Sequence, residues 1–168
     1  MSKATFTVAD DKKTLTAERT FSASQDKVWN ALTNPKLLAK WWGPRGWETQ
    51  ITHMEFVNGG YWLYGMKCVD PAQVDWFGKF SWGKGTYQNI RPIVTFGYVD
   101  EFCDEHGVVT PGMPASQTTI TLKESRGSTS VSSQTSYVSA EALAQVLAMG
   151  MEQGFSETWD RLEEFLVV

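Results

Sequence analysis

The C-terminal segment, residues 139–167, contains no proline and shows the longest helical periodicity in the chain. Ser139 is a suitable N-cap residue for it. Extended over its full length, this helix would measure about 43 Å and cross a whole domain. Its predicted inward stripe contains Leu147, Gly154, Phe155, Thr158, Leu162 and Phe165, and its predicted solvated face contains Gln145, Glu152, Ser156, Asp160, Glu163 and Glu164.

Strand patterns dominate the chain before this segment. Residues 14–21 alternate apolar and polar side chains and predict the first strand, whereas residues 1–13 are polar and are expected to be frayed at their start. Two short helices are predicted next, with Ser24 and Asn34 as their N-caps. Six further strands are predicted at residues 46–57, 62–68, 77–90 (bent or bulged by glycines), 94–98, 117–124 and 129–138. A solvated acidic turn is expected at Asp100, Glu101, Asp104 and Glu105.

Consecutive strands joined by short turns indicate an antiparallel sheet, which has one face to cover. The terminal helix is the one element long enough to cover it. We therefore predict an α+β fold in which a curved antiparallel sheet of about seven strands wraps a long C-terminal helix. Two short helices follow the first strand, and residues 1–168 form a single domain.

Charge and hydropathy exclude several classes of partner. The net charge is -4, with 15 Lys and Arg against 19 Asp and Glu, and no basic run is longer than Lys12-Lys13. Nucleic-acid binding needs a concentrated basic face, so it is not expected. No window approaches 18 apolar residues, and the N-terminus lacks a secretory pattern, so a cytoplasmic protein with no membrane span is expected. Cys68 and Cys103 are then expected to be free thiols, although two cysteines could also form one disulfide.

Residue types that carry catalysis are scarce. The chain has two histidines, His53 and His106, and neither has metal-ligand spacing to a cysteine, so neither a metal nor a cofactor is expected. We interpret His53 as a residue on a solvated strand face. The candidates for acid–base chemistry are Tyr64, Tyr98 and Glu55, and all three depend on a strand register that the sequence leaves open.

Four strings that span most of the chain, in order, resemble the helix-grip (START/Bet v 1-like, SRPBCC) superfamily, and specifically its branch of activator of heat-shock-protein-90 ATPase homologues. They are Lys40-Trp41-Trp42-Gly43-Pro44, Asn58-Gly59-Gly60-Tyr61-Trp62, Gly85-Thr86-Tyr87 and Met149-Gly150-Met151-Glu152-Gln153-Gly154. The chain departs from the branch at three places. Phe155 stands where the branch usually has Trp, and Trp159 stands where it often has Leu. Glu55-Phe56-Val57 stands where it commonly has Asp, an apolar residue and Arg. The segment at 69–82 is also long and aromatic. The resemblance therefore implies the fold more directly than the ligand.

Members of the superfamily hold apolar or amphipathic ligands between the sheet and the long helix. Carried onto this chain, that cavity gives a role to its many aromatic residues, of which Tyr and Trp suit a site because they are apolar with one hydrogen-bonding group. Trp76 and Trp82 could equally form a lid, a dimer face or core. Thr158 could equally bond its own helix. The predicted cavity-lining residues are Trp42, Trp62, Tyr64, Met66, Trp82, Tyr87, Phe96, Tyr98, Met151, Gly154, Phe155 and Thr158.

Three functions compete at this point. The first is a binding module for an apolar or aromatic small molecule, with no covalent chemistry and with homodimer formation left open. The second is a cyclase- or lyase-like enzyme that holds a flexible substrate in the same cavity. The third is a chaperone-linked interaction module, which would need an exposed apolar surface that the sequence does not reveal.

Overall fold

The computed structural model describes residues 2–168. Eight strands form one antiparallel sheet in the order β1-β2-β8-β7-β6-β5-β4-β3. The elements, in chain order, are β1 Thr5–Val8, β2 Thr14–Phe21, α1 Gln25–Thr33, α2 Pro35–Trp41, β3 Trp47–Met54, β4 Tyr61–Cys68, β5 Phe80–Arg91, β6 Thr95–Phe102, β7 Ser116–Ser125, β8 Ser128–Ser136, α3 Ala140–Ala148 and α4 Met151–Leu166. The predicted α+β helix-grip architecture is confirmed.

The sheet has one strand more than the seven predicted. β1 lies in the polar segment for which no strand was predicted, and it pairs with β2, with Phe6 opposite Ala17. The Phe6 ring meets Phe155 of α4 edge to face, with 5.8 Å between ring centroids. Four residues are too few for an alternating pattern to be recognised in the sequence. The strand is identified instead by its pairing with β2. The short helices consequently follow the second strand.

Both short helices begin at the predicted caps. The side chain of Ser24 accepts a hydrogen bond from the backbone of Lys27, and that of Asn34 accepts one from Lys36. The buried Trp41 indole donates to the carbonyl of Ala31 at 3.0 Å and so joins α2 to α1. These helices lie under one end of the sheet and position the α2–β3 connection.

The C-terminal segment is two helices, and the prediction of one long helix was wrong. Ser139 caps α3 as predicted, by accepting from the backbone of Ala142 at 3.1 Å. The helix then breaks at Gly150, whose φ of +86° is left-handed. Glycine adopts that conformation readily, whereas helical periodicity alone does not reveal it. α4, with 16 residues, spans about 24 Å instead of about 43 Å.

One acidic residue of α4, Glu163, does not lie on a solvated face as predicted, because it is 4% exposed. Asp160 keeps a half-exposed side chain but also forms an ion pair with Arg19, in which Nη1 and Oδ1 are 2.6 Å apart. Arg19 follows Leu15 and Ala17 on the buried face of β2. α4 therefore meets a charged group of the sheet that the helix pattern could not indicate.

β6 is longer than predicted and includes two residues assigned to the acidic turn. Asp100 pairs with Gly85, and Glu101 pairs with Lys84. Side chains alternate along a strand, so Asp100 shares the inner face with Phe96 and Tyr98. Asp104 and Glu105 are exposed beyond the strand, as predicted.

Candidate functional site

A cavity of about 300 Å³ lies between the inner face of the sheet, the α2–β3 connection and α4. Its walls are mainly aromatic and aliphatic. Eleven of the twelve predicted site residues line it, and they are Trp42, Trp62, Tyr64, Met66, Tyr87, Phe96, Tyr98, Met151, Gly154, Phe155 and Thr158.

The floor of the cavity depends on glycines that face large rings across two strands. Tyr64 lies opposite Gly83, and Trp62 lies opposite Gly85. A Cβ on Gly83 would fall 2.4 Å from the Tyr64 ring, and one on Gly85 would fall 2.1 Å from the Trp62 indole nitrogen. The two rings stack on each other with 4.2 Å between centroids. The glycines of β5 therefore make room for rings, while the register shift of this strand lies further on, between Gln88 and Arg91.

Trp82 does not line this cavity. Its ring covers Gly65, where a Cβ would fall 2.7 Å away, and stacks on Phe80 at 5.5 Å. Gly65 lies between two inward side chains of β4, so it faces the other side of the sheet. The sequence left open a bulge at the glycines between Trp82 and Tyr87, but β5 pairs regularly from Phe80 to Gln88. Alternation therefore directs Trp82 outward where it directs Tyr87 inward.

α4 forms the roof with a small residue where a larger one would fit. The nearest heavy atom to a Cβ built on Gly154 is the Cβ of Pro44, 4.0 Å away. The Thr158 hydroxyl donates to the carbonyl of Gly154 at 2.9 Å. Thr158 therefore bonds its own helix, as the second interpretation of this residue expected. Its hydroxyl proton is engaged in that hydrogen bond.

Arg161 joins the roof to the mouth of the cavity. Its Nη1 donates to the carbonyl of Gly43 at 2.7 Å and approaches the carbonyls of Trp42 and Trp47 at 3.3 Å. One guanidinium thus holds the α2–β3 connection against α4. Sequence analysis did not single out this residue, because its partners are backbone atoms more than a hundred positions away.

β8 contributes hydroxyl groups to the inner face as well as to the outer one. Val131 and Ser133 line the cavity, and Ser133 is 4% exposed. Thr135 instead bonds Thr118 of β7, with 2.9 Å between the two hydroxyl oxygens. Ser133 is thus one of the few polar groups in a mainly apolar wall.

Asp100 is the ionisable group near the cavity that sequence analysis missed. The Tyr64 hydroxyl donates to both of its carboxylate oxygens, at 3.0 and 3.1 Å. Burial raises the pKa of Asp100 to about 7, and the hydrogen bond from Tyr64 only partly opposes this. Burial also raises the pKa of Tyr64 well above its ordinary value, and that of Tyr98 likewise. Continuing the alternation of β6 two residues past Tyr98 would have found Asp100.

The other titratable candidates lie outside the cavity. Glu55 is exposed, and His53 is exposed and stacked on Tyr61 with 4.3 Å between centroids. Within residues 2–168, no group of three or more His, Cys, Asp or Glu side chains is arranged to hold a metal ion. No helix in that range is long and apolar enough to cross a membrane.

Comparison with known proteins gives a family match and many similar folds. The family model described as "Activator of Hsp90 ATPase homolog 1-like protein" matches residues 22–167. No curated protein matches the chain.

Three solved structures illustrate the likeness of the fold. Protein Ms6760 from Mycobacterium smegmatis is 28% identical, with a TM-score of 0.84 over 97% of this chain and 96% of its own. A protein from Arthrobacter aurescens is 24% identical, with a TM-score of 0.86 over 97% and 91%. A protein from Staphylococcus epidermidis is 26% identical, with a TM-score of 0.81 over 95% and 93%.

Proposed function

This chain belongs to the family of activator of Hsp90 ATPase homolog 1-like proteins, and we propose that it binds an apolar or aromatic small molecule between its sheet and α4. The observation that carries the proposal is the cavity of about 300 Å³ with its mainly apolar walls. Ligand sites are typically concave and apolar with a few polar groups, and their volumes are about 300–1,000 Å³. The ligand would accordingly be small.

The polar groups at the cavity favour binding over catalysis. Tyr64 and Tyr98 line it, but burial raises both of their pKa values, which makes each hydroxyl a weaker acid. The Tyr64 proton is also held by Asp100. Glu55, the third residue considered for an enzyme, is exposed. The enzymatic alternative would therefore need its acid or base from a residue other than these three, and Asp100 is the ionisable group beside the cavity.

A chaperone-linked role is the second candidate, and one observation favours it. The β4–β5 loop exposes Val74, Trp76 and Phe77 at 83%, 50% and 54%, an apolar surface that the sequence did not reveal. Such surfaces often contact partners. Stimulation of an Hsp90-type ATPase by the protein, lost in a Trp76→Ser/Phe77→Ser variant, would support this role in place of small-molecule binding.

The cytoplasm is the proposed setting. Cys68 and Cys103 are both buried and both free thiols. Free thiols are typical of reducing compartments. If this setting is right, alkylation of the unfolded protein directly in the cell lysate should add two alkyl groups per chain, counted by intact mass.

The test is a titration with the neutral fluorescent probe N-phenyl-1-naphthylamine, followed by displacement with a panel of lipids, flavonoids and polyketides. Gly154→Leu should fill the space between α4 and Pro44 and remove binding. Gln153→Leu adds the same side chain at the exposed neighbouring position and is the matched control. Leucine favours a helix more than glycine does, so loss of binding by Gly154→Leu would not reflect unfolding.

Binding by the wild type and by Gln153→Leu, but not by Gly154→Leu, would support the proposal. Equal binding by all three proteins would place the probe elsewhere and contradict it, as would no binding by the wild type. Native mass spectrometry of the purified protein would then identify any ligand retained in the cavity.

A further inference from the structure

A second cavity, of about 270 Å³, adjoins the first on the other side of Tyr64 and Met66. It lies between the start of β5, the end of β6, the start of β7 and helix α3. Its walls include Tyr64, Asp100, Phe102, Tyr137 and Val146. Three aromatic side chains, those of Tyr64, Phe102 and Tyr137, thus border one carboxyl group.

Asp100 has no cationic partner within residues 2–168. The ion pairs of those residues join Arg19 to Asp160, Arg45 to Glu164 and His106 to Glu105. Lys84, the lysine on the neighbouring strand, places its Nζ over the Tyr61 ring at 4.5 Å, and it lies opposite Glu101 in the strand pairing.

The groups that face Asp100 are neutral or negative. Tyr64 faces it from β4, Tyr98 and Glu101 lie on its own strand, and Tyr137 and Cys103 lie near it. A partly buried carboxylate without a cation beside it is unfavourable, and a ligand that brings a positive charge reduces that penalty. Aromatic rings attract a cation that lies over their faces.

We propose that this second cavity binds a small organic amine, with its ammonium group against the carboxylate of Asp100 and its hydrocarbon part among the surrounding aromatic rings. The ammonium would donate to carboxylate lone pairs that the Tyr64 hydroxyl leaves free, since a carboxylate has about four such sites. This second site does not depend on the function proposed for the main cavity.

The pH dependence of binding follows from the ionisation of Asp100. Its pKa is about 7 in the empty protein. An alkylamine keeps its proton well above that pH, with a pKa near 10. Burial raises the pKa of Tyr64, Tyr98, Tyr137 and Cys103 further above neutrality, so these groups do not titrate between pH 6 and pH 8. Binding should therefore tighten about tenfold from pH 6 to pH 8 as Asp100 ionises.

The experiment uses benzylamine, 2-phenylethylamine and 3-phenylpropylamine, each compared with the alcohol of the same length. Affinities are measured by calorimetry at pH 8, with chemical shifts of the amides near Phe102 reporting the site. The amines should bind at least about tenfold more tightly than the alcohols, because only the amines pair with the carboxylate. Asp100→Asn should remove that preference.

Two control variants separate pairing with Asp100 from a general charge effect and from binding in the main cavity. Glu105→Gln removes the same charge at an exposed position and should leave amine binding unchanged. Gly154→Leu obstructs the main cavity, which Gly154 lines, and should also leave amine binding unchanged. Thermal unfolding of each variant verifies that it is folded.

Any of three results would overturn the proposal: no binding by the three amines, equal affinity for amines and alcohols, or full amine affinity in a folded Asp100→Asn variant. If Gly154→Leu abolishes amine binding, the amines occupy the main cavity and the second site is wrong, although the main cavity keeps its proposed role.

Discussion

The Tyr64 hydroxyl donates to both carboxylate oxygens of Asp100, at 3.0 and 3.1 Å. Tyr64 lines both cavities, so this pair forms part of the wall between them. It joins β4 to β6 across β5 and places an ionisable group beside a mainly apolar space.

Asp100→Asn is expected to raise the free energy of unfolding at pH 8. The folded-state pKa of Asp100 is about 7, above the unfolded value of about 3.9, so ionisation favours the unfolded chain progressively from about pH 4 to pH 7. Three pKa units correspond to at most about 4 kcal/mol, and contact with the second cavity reduces this to roughly 2 kcal/mol.

Urea unfolding of both proteins at pH 4 and pH 8 measures the difference. The gain from Asp100→Asn should be largest at pH 8 and close to zero at pH 4, where the carboxyl is protonated in the wild type. A variant less stable than the wild type at pH 8 would show that the ionised carboxylate stabilises the fold.

Gly154→Ala is expected to stabilise the protein by about 1 kcal/mol, because alanine is the better helix former and its Cβ meets nothing closer than 4.0 Å. Gly150→Ala is the matched comparison. The φ of +86° at Gly150 strains any residue with a Cβ, so this variant should lose about 1 kcal/mol or more. Chemical denaturation measures both. Equal effects of the two substitutions would contradict a helix break at Gly150.

Gly85→Ala is expected to displace the Trp62 ring and destabilise the protein by about 1–3 kcal/mol, the usual range for overpacking. The new Cβ would fall 2.1 Å from the indole nitrogen. Near-ultraviolet circular dichroism should register the loss of the stacked Trp62–Tyr64 pair. A Gly85→Ala/Trp62→Leu double variant should recover part of the stability, and strict additivity of the two substitutions would contradict the close contact.

Asp160→Asn is expected to destabilise the protein more than Arg19→Met does. The guanidinium of Arg19 is buried, and its Nε and Nη2 have no hydrogen-bond partner in the described residues. Removing the carboxylate leaves the buried charge without its partner, and because Asp160 is half exposed we expect a cost of about 1–3 kcal/mol, below that for a fully buried pair. Methionine at position 19 fills similar space without charge, and Asp160, 45% exposed, is then solvated. Equilibrium unfolding ranks the two variants, and the reverse order would contradict this account.

Local sequence signals predicted much of the fold. Ser24, Asn34 and Ser139 cap helices where expected, because each side chain bonds a backbone group only a few residues away. Alternation likewise placed Trp62, Tyr64 and Phe96 on one face. Together with the family motifs, these patterns were enough to predict a helix-grip fold and most of the lining of its cavity.

Features that depend on partners distant in the chain were revealed only by the tertiary structure. Trp82 faces away from the main cavity because β5 pairs with its neighbours without a bulge between Trp82 and Tyr87. Asp100 is partly buried because β6 continues alongside β5, and Arg19 is paired because α4 crosses β2. The sequence by itself determined the elements and their amphipathic faces, since these depend on neighbouring residues. Folding alone decided strand register and the environment of each charge, because both depend on contacts between residues far apart in the chain.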